Sequence, residues 1–177
     1  MKLSERRPVA VITPMPPKKH TTIDPIAQFM KEHDEALVQL SSLNKNSRAI
    51  AENGFTEDAF HRLLRAVEFV EEEVGIHNSR EEEALFPVLE RYVEGPTKLM
   101  REDHKVLAKE FRRLRRAVDR VTGNKSSKAA ARELAGVSQR IVQRMVNHIH
   151  KENHILFPLV QKFLTKDALR EVARRMV

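Results

Sequence analysis

The chain contains no cysteine among its 177 residues. Disulfide frameworks, thiol nucleophiles, cysteine-held iron–sulfur clusters and zinc ribbons are therefore excluded, and any metal site must be built from His, Asp and Glu. Glycine is scarce as well, at five residues. An all-β protein needs turn residues every ~8–12 positions, so the shortage points to helices. No apolar run approaches the ~20 residues that a membrane helix requires. The opening stretch MKLSERRPVAVITPMPPKK breaks its apolar residues with charges and prolines where a signal peptide needs continuity, which makes the cytoplasm the expected compartment.

What is present describes a globular protein. Hydrophobic residues make up 41% and charged residues 32%, the balance of a chain that can bury a core. The net charge of +7 is compatible with nucleic acid, acidic partners or anionic surfaces and selects none of them. Four of the eight prolines (Pro8, Pro14, Pro16, Pro17) fall in residues 1–22, a composition that favours a flexible, basic, polyproline-like tail. Residues 23–177 are expected to form the folded unit.

Within that unit the punctuation and periodicity predict four long amphipathic helices. Asp24-Pro25 reads as an N-cap followed by proline at the first helical position. The first stripe runs Ile26, Phe29/Met30, His33, Leu37, Leu40 and ends at Asn53-Gly54. Thr56 caps a second helix with the stripe Phe60, Leu63, Val67, Val70, Val74, His77, Glu81, Leu85. Gly95-Pro96 opens a third, through Met100, His104, Leu107, Phe111 and Leu114 to Thr122-Gly123-Asn124. The fourth starts near Ser126 or Ser127 and carries Leu134, Val137, Ile141, Met145, His148, Glu152, Ile155 and Leu159. A short C-terminal helix follows Thr165. Short connections between long helices argue for an all-α, antiparallel up-down four-helix bundle.

The pattern repeats internally. His77, Glu81 and Leu85-Phe86-Pro87 reappear as His148, Glu152 and Leu156-Phe157-Pro158, an offset of 71 residues, and His33 and His104 are separated by the same interval. The chain therefore reads as two helical hairpins of one design around a pseudo-two-fold axis. Each proline lies ten residues past its histidine, where it should kink or restart the helix beyond the polar turn.

Once per long helix a histidine replaces an apolar residue on the core stripe, and the distances to the flanking turns put His33, His77, His104 and His148 at one level. Glu81 and Glu152 follow two of them by four residues, one turn along on the same face. Two inward carboxylates require cations, because buried charge without partners is prohibitively costly. Two divalent metals would supply that charge, with the carboxylates bridging them. Neutral imidazoles and carboxylates suit iron, ahead of manganese or zinc. A hydrogen-bonded polar layer that merely fixes helix register accounts for one buried histidine, but not for four with two i+4 glutamates.

This set, with Leu-Phe-Pro after each His-x-x-x-Glu pair, resembles the hemerythrin-like (HHE cation-binding) family over roughly residues 23–160. Its ligand pattern is closest to the repair-of-iron-centres di-iron proteins, which respond to nitric oxide and oxidative stress. The resemblance implies two iron ions joined by an oxide or hydroxide bridge (Fe-O(H)-Fe), held by His33, His77, His104 and His148 and bridged by Glu81 and Glu152. Oxygen-carrying hemerythrins place a further histidine where this chain has Ala108, and an aspartate where it has Asn153. The resemblance thus points away from a reversible oxygen carrier and towards binding, reducing or sensing NO, O2 or peroxide. An iron- or O2-responsive sensor module without turnover is the alternative.

Ferritin-like chemistry is excluded by spacing, since it needs Glu-x-x-His, and Met30, Val74, Arg101 and Met145 occupy the positions three before the four histidines. His150 and His154 lie on other faces of the fourth helix than His148; His20 and His61 are expected to be exposed. Asp103 could accept a hydrogen bond from a ligand histidine. The arginines of the third helix (Arg112, Arg113, Arg115, Arg116, Arg120) suggest ion pairs with the glutamates of the second. They, or the tail, could also serve a protein partner. With no interleaved aromatics or nucleic-acid motif, they argue against nucleic acid.

Overall fold

The computed structural model describes residues 24–177, so the proline-rich segment read over residues 1–22, His20 included, lies outside the described residues. Each long helix begins and ends on the chemistry that its flanking residues supply. The Asp24 carboxylate accepts from the N–H groups of Ile26 and Ala27 and starts α1 (Pro25–Asn53). Gly54 stops it at φ 91°, a left-handed conformation that glycine tolerates without a Cβ penalty. Thr56 caps α2 (Glu57–Arg80) by accepting from the Ala59 N–H. α4 (Thr97–Gly123) follows Pro96, and Ser127 caps α5 (Lys128–Lys151). Between α2 and α4 lies the short α3 (Phe86–Leu89); after α5 come α6 (Phe157–Phe163) and α7 (Lys166–Arg175), the last capped by Thr165. No strand occurs among the described residues.

Residues 33–53 run out to the loop 54–56 and residues 57–77 run back, so that His33 and His77 meet side by side. Residues 104–123 and 128–148 repeat this in the second hairpin. α1 packs on α2 and α5, and α4 on α5, while α7 closes the end near α3. The buried apolar side chains form two clusters. One lies towards the two hairpin loops, around Leu43, Leu63, Leu114 and Leu134. The other gathers at the opposite end around Phe29, Phe86, Met100 and Phe157. The histidines and Glu81 and Glu152 form a buried polar layer between the two clusters.

The Leu-Phe-Pro motifs do something that α-helical periodicity does not predict. An unbroken α-helix would need Pro87 to donate a backbone hydrogen to the carbonyl of Glu83, and proline has none. Instead a π-helical turn spans Glu81–Leu85, and the Phe86 N–H reaches back five residues to the Glu81 carbonyl. Glu152–Leu156 forms the second such turn, with Phe157 bonded to Glu152. The extra residue in each wide turn slips the helix phase by one position. Hence the fourth stripe does not run on through Ile155, which is 48% exposed, but through Leu156 and Val160, both fully buried. On α1, Met30 and Leu37 stand at the edge of their stripe and are exposed, because Phe29 and Ala36 take the core positions. The charge runs pair only in part: Arg115 reaches Glu71 on α2, whereas Arg113 pairs with buried Glu110 on its own helix and Arg120 with Glu133 on α5.

Candidate metal centre

Four helices each deliver one imidazole to the polar layer: His33 from α1, His77 from α2, His104 from α4 and His148 from α5, all buried. Within each hairpin two ring nitrogens face each other. His33 Nε2 is 3.2 Å from His77 Nε2, and His104 Nε2 is 3.1 Å from His148 Nε2. The two π-helical turns begin at the glutamates and hold them fully buried between these pairs. Glu152 divides its oxygens, Oε2 at 2.9 Å from His33 Nε2 and Oε1 at 2.8 Å from His148 Nε2. Glu81 turns Oε2 towards both sides, 3.3 Å from His104 Nε2 and 3.9 Å from His77 Nε2. All six residues singled out by spacing are thus brought together. They make two ligand groups, His33–His77–Glu152 and His104–His148–Glu81–Glu152, which share Glu152.

Those donors fit a pair of cations. Two nitrogens each about 2.1 Å from one ion and at right angles to one another stand about 3.0 Å apart, close to the spacing within each histidine pair. All four carboxylate oxygens of Glu81 and Glu152 are buried without a hydrogen-bond partner, and three of them, Glu81 Oε2 and both oxygens of Glu152, lie at ion-pair distance from imidazoles. Unpartnered charge at that depth is costly, and divalent cations between the nitrogens and oxygens would remove the cost. In their absence protons carry the balance. Burial and then the charge of Glu152 push the Glu81 carboxyl up, whereas the facing imidazoles of His104, His148 and His33 overcome burial and hold Glu152 well below the usual carboxylate range. His104, despite its burial, is pushed up to about 10 by Glu152, Glu81 and Glu82; His33 is raised against burial by Glu152 and Asn153.

The outward-facing nitrogens are held in a second ring that obeys the repeat. His77 Nδ1 donates to Glu32 at 2.8 Å, and Arg80 grips the other oxygen of that carboxylate. Seventy-one residues on, Asp103 lies 3.5 Å from His148 Nδ1 and pairs with Lys151. His33 Nδ1 donates to Asn153 at 2.9 Å and His104 Nδ1 to Glu82 at 2.7 Å. With Nδ1 of His33, His77 and His104 committed outward, Nε2 of each presents its lone pair to the centre. The phenylalanines of the Leu-Phe-Pro motifs brace the rings crosswise, Phe157 of the second half on His33 and Phe86 of the first half on His104.

Asp103, expected as an acceptor for a ligand histidine, stands 3.5 Å from His148 Nδ1 without a hydrogen bond and pairs with Lys151, and sequence spacing missed Glu32, Arg80, Glu82 and Lys151. The signal was there: applied to the ligands' neighbours, the 71-residue offset pairs Glu32 with Asp103 and Arg80 with Lys151, charge for charge. Glu82 points away from His77 as its phase requires, but that direction brings it to His104 on α4. His150 and His154 are exposed, and His154 Nδ1 donates to the backbone carbonyl of His150. His61 and Glu83 are exposed too, as is Tyr92.

A family model, the hemerythrin HHE cation binding domain, matches residues 24–160 and, in an overlapping second match, residues 95–177. The two matches start 71 residues apart, the interval of the repeat. Comparison with curated proteins gives no match.

Proposed function

This chain belongs to the hemerythrin HHE cation-binding family, and we propose that it is a non-haem di-iron protein that binds and reduces, or senses, a small molecule: NO, O2 or peroxide. The observation that carries this reading is the pair of wholly buried, unpartnered carboxylates between two facing imidazole pairs. His33 and His77 would hold one iron and His104 and His148 the other, with Glu81 and Glu152 shared between them. We read residues 23–177 as the functional unit. When bound, two irons supply redox chemistry and open coordination positions for a small ligand.

The protein's own residues govern what reaches that centre. A small pocket of about 20 Å³ opens between α1, α2 and α5, with His33, His77, His148 and Glu152 at its inner end. That volume takes one or two water-sized molecules, which suits a diatomic gas or peroxide and excludes larger substrates. Ala36, Val74, Met145 and Ile149 make apolar walls, and Glu35 and Glu73 line it as well. Acidic side chains beside an apolar passage favour neutral ligands over anions. On the other side of the pseudo-two-fold, Leu107 stands where the repeat has Ala36, and the depression there, lined by Asp103, Arg144 and Lys151, includes none of the four histidines. We therefore read the pocket beside His33 and His77 as the way in.

Purified protein expressed in iron-rich medium should contain about two irons per chain and absorb in the near ultraviolet when oxidised. Absence of bound metal would sink the proposal. Consumption of NO or peroxide over many turnovers would select the reducing role. Binding without turnover, accompanied by a large change in melting temperature on iron removal, would select the sensor.

A further inference from the structure

The six residues around the centre are matched by the repeat in kind and number, but the groups behind them are not. Glu32 and Arg80 cancel in charge behind His77, and Asp103 and Lys151 cancel behind His148, where Asp103 stands 3.5 Å from Nδ1 without a hydrogen bond. The remaining two positions differ. Behind His33 stands the neutral amide of Asn153; at the related position behind His104 stands the carboxylate of Glu82. Glu82 is only partly exposed and has no Lys or Arg within ion-pair distance among the described residues. The outer ring therefore carries one uncompensated negative charge, and it sits on the His104–His148 side.

An imidazole whose Nδ1–H donates to a carboxylate gives up more electron density through Nε2 than one that donates to an amide, and is the stronger ligand. We infer that Glu82 and Asn153 make the two metal positions unequal, so that the His104–His148 position takes a divalent cation before and more tightly than the His33–His77 position. Both are positioning residues, acting on the metal through His104 and His33. The inference rests on the two-metal reading given above. It adds that the order of filling is set by a single charge outside the ligand set. The same charge leaves the more weakly held cation on the side where the pocket opens.

The test is a titration of the metal-stripped full chain with cobalt(II), followed by its visible absorption, with circular dichroism confirming the fold of each variant. Wild type should bind two equivalents in two steps separated by about 10- to 100-fold in affinity, and His104→Ala should abolish the tighter one. Glu82→Gln should weaken the tight step and leave the weak one, closing the gap from above. Asn153→Asp should strengthen the weak step and close the gap from below. Structural damage lowers affinities, so a gain in Asn153→Asp is a readout that damage cannot imitate. Two equal steps in wild type, or no gain in Asn153→Asp, would overturn the inference while leaving the two-metal reading intact. Failure of wild type to take up two equivalents would overturn that underlying reading instead.

Discussion

The ring of Phe157 lies 5.5 Å from that of His33 and 15° from parallel with it. Phe157 is the aromatic residue of the second Leu-Phe-Pro motif, and His33 belongs to the first hairpin. The related pair, Phe86 on His104, stacks at 6.0 Å and 16°. Phe86 also carries the Arg101 guanidinium, 5.1 Å from its ring centre. The motif is therefore more than a helix break. Its proline forces the π-helical turn, the turn aims the glutamate, and the phenylalanine fixes the ring of a histidine in the other half.

Phe157→Leu should separate the bracing from the packing. Leucine keeps most of the buried apolar volume, so the stability cost should stay below about 1.5 kcal/mol, but the flat face against His33 is lost. Chelator-driven metal release should become faster than in wild type. Release at the wild-type rate would show that stacking does not hold the ring.

Glu152→Ala should remove the carboxylate shared by both ligand groups, and Glu81→Ala the one that faces His104 and His77, each lowering metal content and abolishing the oxidised spectrum. Glu83→Ala and His154→Ala, on exposed positions, should leave the metal in place. Glu82→Ala should fall between, since its carboxylate supports His104 without reaching the centre. Metal analysis of the five variants checks the order. Equal losses from Glu81→Ala and Glu83→Ala would contradict the assignment of the π-helical turn.

How much of this was legible in the sequence follows from the period of the helix. The caps at Asp24, Thr56 and Thr165, the stop at Gly54 and the convergence of four histidines all obey α-helical spacing and local hydrogen bonding, and each could be read directly. What could not be read is whatever depends on a change of period. The stripe slips from Ile155 to Leu156 because one π-helical turn inserts a residue, and nothing in a regular periodicity announces it. Glu82 was hidden differently: spacing along its own helix shows only that it avoids His77, and α4 decides what it meets.

Protons and metal should compete, with a definite sign. His33 and His104 bind protons more tightly folded than unfolded, His104 with its pKa pushed up to about 10. Their contribution to the metal-free protein is full below the unfolded value of ~6.5 and is lost as pH rises towards ~10. Raised Glu81 acts in the same direction, because its ionisation costs more in the folded chain. Lowered Glu152 acts oppositely and withdraws its contribution as pH falls below ~4.5. The melting temperature of metal-free protein should therefore decline between pH 6.5 and 10, with a much flatter profile once metal is bound. A metal-free melting temperature that holds steady over that range would contradict the proton balance.

Ala36→Leu copies into the first hairpin the residue that the second carries at Leu107. The larger side chain should fill the passage to the centre, slowing ligand binding by an order of magnitude or more while leaving metal content unchanged. Stopped-flow binding of NO to the iron-loaded protein, beside metal analysis, gives both numbers. An unchanged binding rate would place the entrance elsewhere.

The crosswise bracing has a consequence for the protein as it leaves the ribosome. His33 and His77 are synthesised early, but Glu152, Asn153 and Phe157, on which His33 depends, come near the end of the chain. A nascent chain stalled before residue 152 would hold all four histidines and Glu81 but lack Glu152, the carboxylate that both ligand groups share, and the ring that holds the first histidine still. Metal capture is therefore a late event, and a truncated product would remain unloaded and loosely folded, open to proteases that the finished bundle resists.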